Sequence, residues 1–226
     1  RYADTAAYAQ AKRTELDAFD PAWGADRQAA LDRTLATIAA QRAKLGEVFF
    51  FPGGPGLGLM GIFGEVGLEA FSYYLADVPD LIDELLERNA LNASAWIEHL
   101  PEDHGIEAVF SGDDIAFKTG PLLAPAWFSE HYTPRLARVL DAYHGRGIQV
   151  LFHSDGNLLP ILDQLVAAGI DGLNPLEVLA GMDPVEVHRR YPRLFLAGGI
   201  DVSQLLPWGR PEEITEAVRR ALDGTG

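Results

Sequence analysis

The sequence contains no cysteine and comparatively few positively charged residues. None of its 226 residues is a cysteine, which excludes a disulfide framework, thiolate metal ligands and a cysteine nucleophile within the chain. Asp and Glu number 33 against 18 Lys and Arg, so the net charge is -15. Because such a surface repels a phosphate backbone, we expect no nucleic acid partner.

Long hydrophobic runs are missing from the sequence as well. No segment approaches the roughly 20 consecutive apolar residues of a membrane helix, and the N-terminus lacks the basic-then-apolar pattern of a secretory signal. We expect a soluble, cytoplasmic protein with no membrane partner. The chain begins with Arg1 rather than Met and stops at Gly226, just past a helical pattern, so we also expect truncation at one or both ends.

Short apolar segments alternate with amphipathic helical patterns along the chain. Strands are predicted at 47–51, 108–110, 148–152, 170–173 and 194–197. Helices are predicted over 26–45, from Leu158 to an end at Gly169, and from Pro79, Pro134, Pro184 and Pro211 onward. Strands that are apolar throughout are buried on both faces, which indicates a parallel sheet covered by helices.

This alternation predicts an α/β protein of the (β/α)8 TIM-barrel type, as a single domain over residues 1–226. A closed barrel takes ~250 residues, so the barrel would be incomplete in this chain. An open, doubly wound sheet is the alternative architecture.

A glycine-rich stretch, residues 52–58, follows the first predicted strand. A phosphate cradle would need a helix that begins straight after the glycines. The apolar residues that follow, up to Phe63, instead favour an exposed loop that covers a substrate.

Two adjacent carboxylates, Asp113 and Asp114, follow the strand at 108–110. The loops after barrel strands carry the catalytic groups, and one of two neighbouring carboxylates can have its pKa raised by the charge of the other. Both are candidate catalytic residues. Helix capping or a turn would explain the same pair without a catalytic role.

His153 directly follows the strand at 148–152, and Asp155 lies two residues further on. An imidazole at the mouth of a sheet can ligate a metal or transfer protons, so His153 is a candidate catalytic residue. Asp155 could join it as a metal ligand, bind substrate, or cap a helix that begins near Asn157. A structural histidine bonded to a backbone carbonyl is the alternative for His153.

Three further polar residues follow later strands, and we predict that they bind substrate. They are Asn174, Glu177 and Asp201. Isolated acids in such loops are usually solvated, so the prediction depends on their recurrence at matching strand ends.

Four motifs together resemble the uroporphyrinogen decarboxylase superfamily, which includes corrinoid-linked methyltransferases built on the same barrel. The motifs are Phe110–Asp114, Gly120–Pro125 followed by Phe128 and Pro134, Gly147–Gly156, and Ala197–Asp201 with Leu205 and Leu206. The resemblance extends from about Gly105 to Leu222.

The methyltransferase branch of this superfamily has a zinc-binding strand in which a histidine is followed two residues later by a cysteine. Here His153 occupies the histidine place and Asp155 the cysteine place. The resemblance thus implies, in place of a thiolate-rich site, zinc held by His153 and Asp155, with Glu177 as a further ligand. Such a metal would activate a methyl acceptor.

The decarboxylase branch uses no metal or organic cofactor, and its substrate is a tetrapyrrole with many carboxylates. The resemblance therefore implies an enzyme of porphyrin metabolism, a lyase in which Asp113 or Asp114 stabilises a protonated pyrrole. Such a substrate calls for arginines, and only Lys118, Arg135 and Arg210 lie near the predicted loops.

The first functional hypothesis is a uroporphyrinogen decarboxylase-like enzyme acting on a tetrapyrrole or a small carboxylate. The alternatives are a zinc- or corrinoid-dependent methyltransferase and a non-catalytic subunit that docks a corrinoid protein. An exposed apolar loop at 56–63 would supply that docking contact. A homodimer is left open.

Overall fold

The structure, a computed structural model, describes residues 2–226. Its α-helices are α1 (Thr5–Asp17), α2 (Ala25–Leu45), α3 (Leu59–Val66), α4 (Leu68–Asp77), α5 (Pro79–Glu98), α6 (Pro125–Trp127), α7 (Thr133–Gly145), α8 (Leu162–Ala168), α9 (Pro184–Arg190), α10 (Leu205–Trp208) and α11 (Pro211–Thr225). Its strands are β1 (Ala108–Gly112), β2 (Ala116–Phe117), β3 (Gly120–Pro121), β4 (Gln149–His153), β5 (Gly172–Asn174) and β6 (Phe195–Leu196). A π-helical turn spans Phe128–Tyr132 and a 3₁₀ turn spans Val178–Ala180.

The chain forms two compact units. The first unit consists of Arg1–Ser111 and Pro134–Gln149, and the second of Gly112–Thr133 and Val150–Gly226. The single domain over 1–226 stays a prediction. Within residues 2–226, no helix combines the length and the apolarity that crossing a membrane requires.

The helices of the first unit follow the apolar pattern of the sequence. The helix expected at 26–45 is α2, which buries Leu31 and Ile38 and exposes most of its other side chains. In α5, Pro79 occupies the first turn, where its missing N–H costs nothing. The side chains that α5 buries recur every three or four residues, as one face of a helix requires. They are Leu81, Ile82, Leu85, Leu86, Ala90, Ala93 and Ile97.

The strand predicted at 47–51 is wrong. Phe49 is 59% exposed, and the pairing occurs instead within the glycine-rich stretch, where Gly53 bridges Phe110 in parallel. Phe110 N donates to Pro52 O at 2.9 Å, and Gly54 N donates to Phe110 O at 3.0 Å. A Cβ on Gly54 would lie 2.3 Å from the hydroxyl oxygen of Tyr143, so the absence of a side chain allows this approach.

The loop predicted to cover a substrate, up to Phe63, is also wrong. Helix α3 begins at Leu59, directly after Gly58, whose φ of 73° suits glycine. Leu59 and Ile62 are buried, as is Leu57. Leu59 and Ile62 lie one helical turn apart on the same face of α3, and so short an apolar pattern does not distinguish a helix from a loop by sequence alone.

The second unit contains the carboxyl ends of four strands in the order β1, β4, β5, β6. Strands β4 and β5 are parallel, with His153 opposite Asn174, and β5 and β6 are parallel, with Gly172 opposite Phe195. Beyond β1, Asp113 N donates to His153 O at 3.0 Å. The predicted parallel arrangement of these strands is confirmed, and their carboxyl ends lie at one edge of the sheet.

Two local predictions for the second unit need correction or completion. The helix expected from Leu158 to Gly169 starts later: α8 begins after Ile161 and ends before Gly169, and its N-cap uses no side chain, so Asp155 does not cap it. The sequence analysis also missed the hairpin formed by β2 and β3, in which Phe117 pairs with Gly120.

Gly112 is where the second unit tolerates a side chain least. A Cβ at Gly112 would lie 2.0 Å from the backbone oxygen of His153, so Gly112→Ala should lower the free energy of unfolding by about 3 kcal/mol, the upper range of an overpacked site. Gly145→Ala is the control, because a Cβ there meets nothing within 4 Å. Urea unfolding followed by circular dichroism tests both variants. Equal midpoints for the two would contradict the close approach.

Candidate functional site

The ends of the strands in the second unit bring most of the predicted site residues together. His153 ends β4 and Asn174 ends β5, opposite each other in the sheet. The ligand atoms of Asp114, His153 and Asp155 all lie within 4.8 Å of one another. We call these three residues the Asp114 cluster.

The ring of His153 is oriented by Asn174. Its Nδ1 lies 2.9 Å from Asn174 Oδ1, and the amide nitrogen of Asn174 donates to Ala197 O at 3.3 Å. Because that second bond identifies the amide nitrogen, the oxygen of Asn174 faces His153 and accepts from Nδ1–H. In neutral His153, Nε2 then carries no proton. Its lone pair faces Asp114 Oδ1, which lies 3.4 Å away.

The two carboxylates of the Asp114 cluster are held from different segments. Asp114 follows β1, and its Oδ1 accepts from Asp155 N at 3.0 Å. Desolvation and then the nearby charge of Asp114 raise the pKa of Asp155, against the lowering effect of His153. The charges of the Asp114 and Asp155 carboxylates therefore repel each other.

Asp113 differs from its neighbour in its surroundings. Its side chain is only 2% exposed, and its Oδ2 accepts from the hydroxyl of Tyr132 at 2.9 Å. Burial, followed by the charge of Asp113, raises the pKa of Tyr132 well above its usual value, so Tyr132 remains a donor. Tyr132 ends the π-helical turn, a type of irregularity that recurs at functional sites.

Glu177 lies at the border of the cluster and connects it with the β2–β3 hairpin. Its Oε2 accepts from Gly156 N at 3.0 Å, and its Oε1 lies 3.6 Å from Lys118 Nζ. Glu177 also contributes to the raised pKa of Asp155, which places its charge within electrostatic reach of the cluster.

Asp201 is engaged by its own loop. Its carboxylate accepts from the backbone N–H groups of Ser203, Gln204 and Leu205 at 2.8, 3.2 and 2.9 Å. Desolvation opposes these bonds, but together with the charge of Lys118 they lower the pKa of Asp201. This geometry orders the turn before α10, and substrate binding by Asp201 stays a prediction.

Sequence reasoning missed the residues that hold the segment after β4 against its neighbours. Ser154 is fully buried, and its hydroxyl accepts from Ile115 N at 3.1 Å. A Cβ on Gly156 would lie 2.6 Å from the backbone of Ala116, so glycine lets the hairpin pack against the β4 loop. The only indication in the sequence was the run His153–Gly156, whose small and polar residues differ from the strand before it.

Comparison with known proteins places the chain in a family. The family model of uroporphyrinogen decarboxylase (URO-D) matches residues 14–226, and the chain belongs to this family. No curated protein sequence matches it. Among solved structures, it is similar to a methyltransferase from Methanosarcina mazei, with a TM-score of 0.65 and 23% sequence identity.

That alignment covers 84% of this chain and 55% of the methyltransferase, so the chain spans about half the length of the solved structure. At this identity the likeness shows the fold, which is a partial (β/α)8 TIM barrel. The predicted family and fold class are thus confirmed, and the roles of individual site residues stay predictions.

The tautomer of His153 is a measurable consequence of its contact with Asn174. In the neutral ring of His153 in chelator-treated protein, we expect the proton on Nδ1. His104 is an internal reference with the opposite state, because its Nδ1 accepts from Ile106 N at 3.0 Å. Long-range ¹H–¹⁵N correlation spectra distinguish the two forms.

Asn174→Ala should change the tautomer populations of His153 and leave those of His104 unchanged, because it removes the acceptor that fixes the ring. A proton found on Nε2 of His153 in the unsubstituted protein would contradict the orientation derived from Asn174.

Proposed function

We propose that this member of the uroporphyrinogen decarboxylase family is a metal-dependent enzyme whose Asp114 cluster holds a divalent cation, with zinc the first candidate. We further propose that it transfers a methyl group from a methylated corrinoid, which leaves in its reduced form, to the heteroatom of a small-molecule acceptor, which gives up its proton. The observation that carries the proposal is the convergence of one imidazole nitrogen and two carboxylates within 4.8 Å. The name of the similar Methanosarcina mazei protein agrees with the reaction type.

The donor set suits zinc in both chemistry and spacing. Imidazole nitrogen and carboxylate oxygen are ordinary zinc ligands, with bonds of about 2.0–2.2 Å. Two ligands of a tetrahedral site are then roughly 3.4 Å apart, and His153 Nε2 and Asp114 Oδ1 are separated by 3.4 Å. Asp155 is exposed, so its carboxylate can turn toward the other two ligands.

The surrounding residues prepare the ligands for this role. Asn174 holds His153 with its Nε2 lone pair toward the carboxylates, the type of outer contact that metal-bound histidines require. The backbone N–H of Asp155 holds Asp114 in place. A bound divalent cation acts as a Lewis acid and makes an acceptor group more nucleophilic at neutral pH.

Asp113 has a positioning role in this proposal. Its carboxylate is buried and bonded to Tyr132, while its backbone N–H is bonded to His153 O. These contacts fix the end of β1 against the end of β4, and the next residue, Asp114, is thereby aimed at the His153 ring.

A tetrapyrrole with many carboxylates fits the electrostatics of the site less well. The predicted site contributes the carboxylates of Asp113, Asp114, Asp155, Glu177 and Asp201. Lys118 lies 3.6 Å from Glu177, and one ammonium group does not offset five acids. Such a site attracts a cation and repels a polyanion.

The absence of cysteine motivated the alternative of a non-catalytic docking subunit. The segment 56–63, which was expected to supply its docking contact as an exposed apolar loop, buries Leu57, Leu59 and Ile62. No observation on this segment favours corrinoid-protein docking over catalysis.

Zinc titration of chelator-treated protein by calorimetry tests the metal site, with elemental analysis of the purified protein beside it. His153→Ala should lower zinc affinity by more than ~100-fold, because it removes the ligand nitrogen, and Asn174→Ala by about 10- to 100-fold through loss of orientation. His188→Ala, a partly exposed histidine of α9 in the same unit, is the control and should bind zinc as the unsubstituted protein does.

Unchanged zinc affinity in His153→Ala would contradict the proposal. Metal-free protein that binds a coproporphyrinogen-like tetrapyrrole would favour the decarboxylase hypothesis instead.

A further inference from the structure

Ser154 lies in the chain between His153 and Asp155, two members of the Asp114 cluster, and its side chain is completely buried. Its backbone N–H donates to Asn174 O at 2.9 Å, which fixes the residue against the end of β5. A buried hydroxyl almost always forms hydrogen bonds. The hydroxyl of Ser154 forms two of them, and both partners belong to segments that carry the cluster.

The Ser154 hydroxyl connects the segments that hold the two carboxylates of the Asp114 cluster. Its Oγ accepts from Ile115 N at 3.1 Å and donates to Asp155 O at 3.0 Å. A serine hydroxyl has one donor hydrogen and two acceptor lone pairs, so one group serves both partners. Because Ile115 directly follows Asp114, the hydroxyl joins the chain beside one carboxylate residue to the backbone of the other.

A third hydrogen bond closes a ring between the two segments. Asp155 N donates to Asp114 Oδ1 at 3.0 Å. The backbone N–H of Asp155 is therefore engaged by Asp114, and its backbone C=O is engaged by Ser154. Both polar groups of this backbone have fixed partners, so the start of the Asp155 side chain is fixed as well.

Ile115 anchors the Asp114 side of the ring. Its side chain is 0% exposed, and its carbonyl accepts from Leu122 N at 2.8 Å. Asp113, on the other side of Asp114 in the chain, is buried too. Since both neighbours of Asp114 are held in the protein interior, the position of its carboxylate depends on where Ser154 holds the N–H of Ile115.

The ring opposes the repulsion between the two carboxylates. Asp155 is exposed and Asp114 partly so, and their like charges would drive such side chains apart in the absence of a cation. The three hydrogen bonds keep the two residues together before a cation arrives. Ligands that are ordered in advance bind a metal more tightly, because less conformational freedom is lost on binding.

We propose, on the basis of the proposed metal site, that Ser154 is a positioning residue that holds Ile115 and Asp155 at the separation that zinc binding by the Asp114 cluster requires. Ser154 acts through these two backbones, and its hydroxyl is engaged by them rather than by the metal. Residues that orient metal ligands in this way typically contribute about 10- to 100-fold in affinity.

Zinc titration of the chelator-treated full chain by calorimetry gives the first test. Ser154→Ala should weaken zinc binding about 10- to 100-fold, whereas Ser154→Thr keeps a hydroxyl and should stay within about threefold of the unsubstituted protein. Ser111→Ala is the matched control for the loss of a buried serine hydroxyl. Ser111 is 7% exposed and donates to Pro55 O at 3.2 Å, and its variant should bind zinc normally.

Cobalt(II) in place of zinc gives a readout that a loss of stability alone does not change. Its visible absorption spectrum reports the geometry of its ligands. Ser154→Ala saturated with cobalt should therefore give an altered spectrum, while Ser154→Thr and Ser111→Ala should reproduce that of the unsubstituted protein.

Amide hydrogen exchange of the chelator-treated protein, followed by NMR, tests the ring without a metal. Ser154→Ala should speed exchange at the amides of Ile115 and Asp155 by at least about tenfold, because the segments then separate more often. The amide of Asp171, which donates to Val150 O at 3.1 Å, is the internal reference and should exchange at an unchanged rate.

Full zinc affinity in Ser154→Ala, equal losses in Ser154→Ala and Ser154→Thr, or unchanged exchange at both amides would each overturn the inference and leave the metal site itself in place. A failure of the unsubstituted protein to bind zinc would instead contradict the proposed function. The exchange rates of the metal-free protein then decide by themselves whether Ser154 holds the two segments together.

Discussion

The contact between the end of β1 and the backbone of His153 is the constraint on which the candidate site depends. Asp113 N donates to His153 O at 3.0 Å, and Gly112 approaches so closely that a Cβ would overlap that oxygen. Because the two strand ends are locked at this point, the side chains that follow them have little freedom. Asp114 is consequently aimed at the imidazole, and Asp113 is directed into the core. A fixed backbone thus supplies the preorganisation that a ligand set requires.

Side-chain hydrogen bonds add to this backbone contact and fix the residues around the candidate site. Asn174 orients the His153 ring, Ser154 holds Ile115, and Glu177 accepts from Gly156. These bonds connect the segments after β1 and β5 to the segment after β4, so the three residues of the cluster lie in a cross-linked frame. Loops that end parallel strands can hold catalytic groups for this reason, even though each loop alone would be mobile.

The sequence was sufficient to predict the fold class and the general location of the candidate site. It was insufficient to show which of the two adjacent acids faces that site. His153, Asp155 and Asn174 were identified because polar residues after apolar strands collect at one edge of a parallel sheet. The adjacent acids Asp113 and Asp114 could not be separated, since neighbouring residues of an extended chain point to opposite sides and nothing local shows which side is the core. The structure buries Asp113 and presents Asp114.

Residues that are far apart in the chain account for what the sequence could not predict. Tyr132 donates a hydrogen bond to Asp113, nineteen positions away in the chain. The hairpin β2–β3 contacts Gly156 through backbone atoms, and such a contact leaves no pattern of residue types in the sequence. Likewise, the apolar residues from Leu59 to Phe63 lie in helix α3, although so short a run fits a loop equally well. Local patterns predicted the four strands of the parallel sheet and helices α2, α5, α7 and α11. They did not predict α1, the strand expected at 47–51 was wrong, and the short elements depend on tertiary contacts.

The chemistry of the donor set limits which cation the proposed site would select. A histidine followed by cysteine would present a soft thiolate, whereas His153 with Asp155 and Asp114 presents one imidazole and two hard oxygens. Oxygen ligands bind zinc less selectively than thiolates do, and they accept manganese and magnesium as well. Negative charge then becomes the main determinant of affinity, because Asp114 and Asp155 repel each other until a cation lies between them. Desolvation and then the charge of Asp114 raise the pKa of Asp155, and a bound cation would oppose both effects by stabilising the two charged carboxylates.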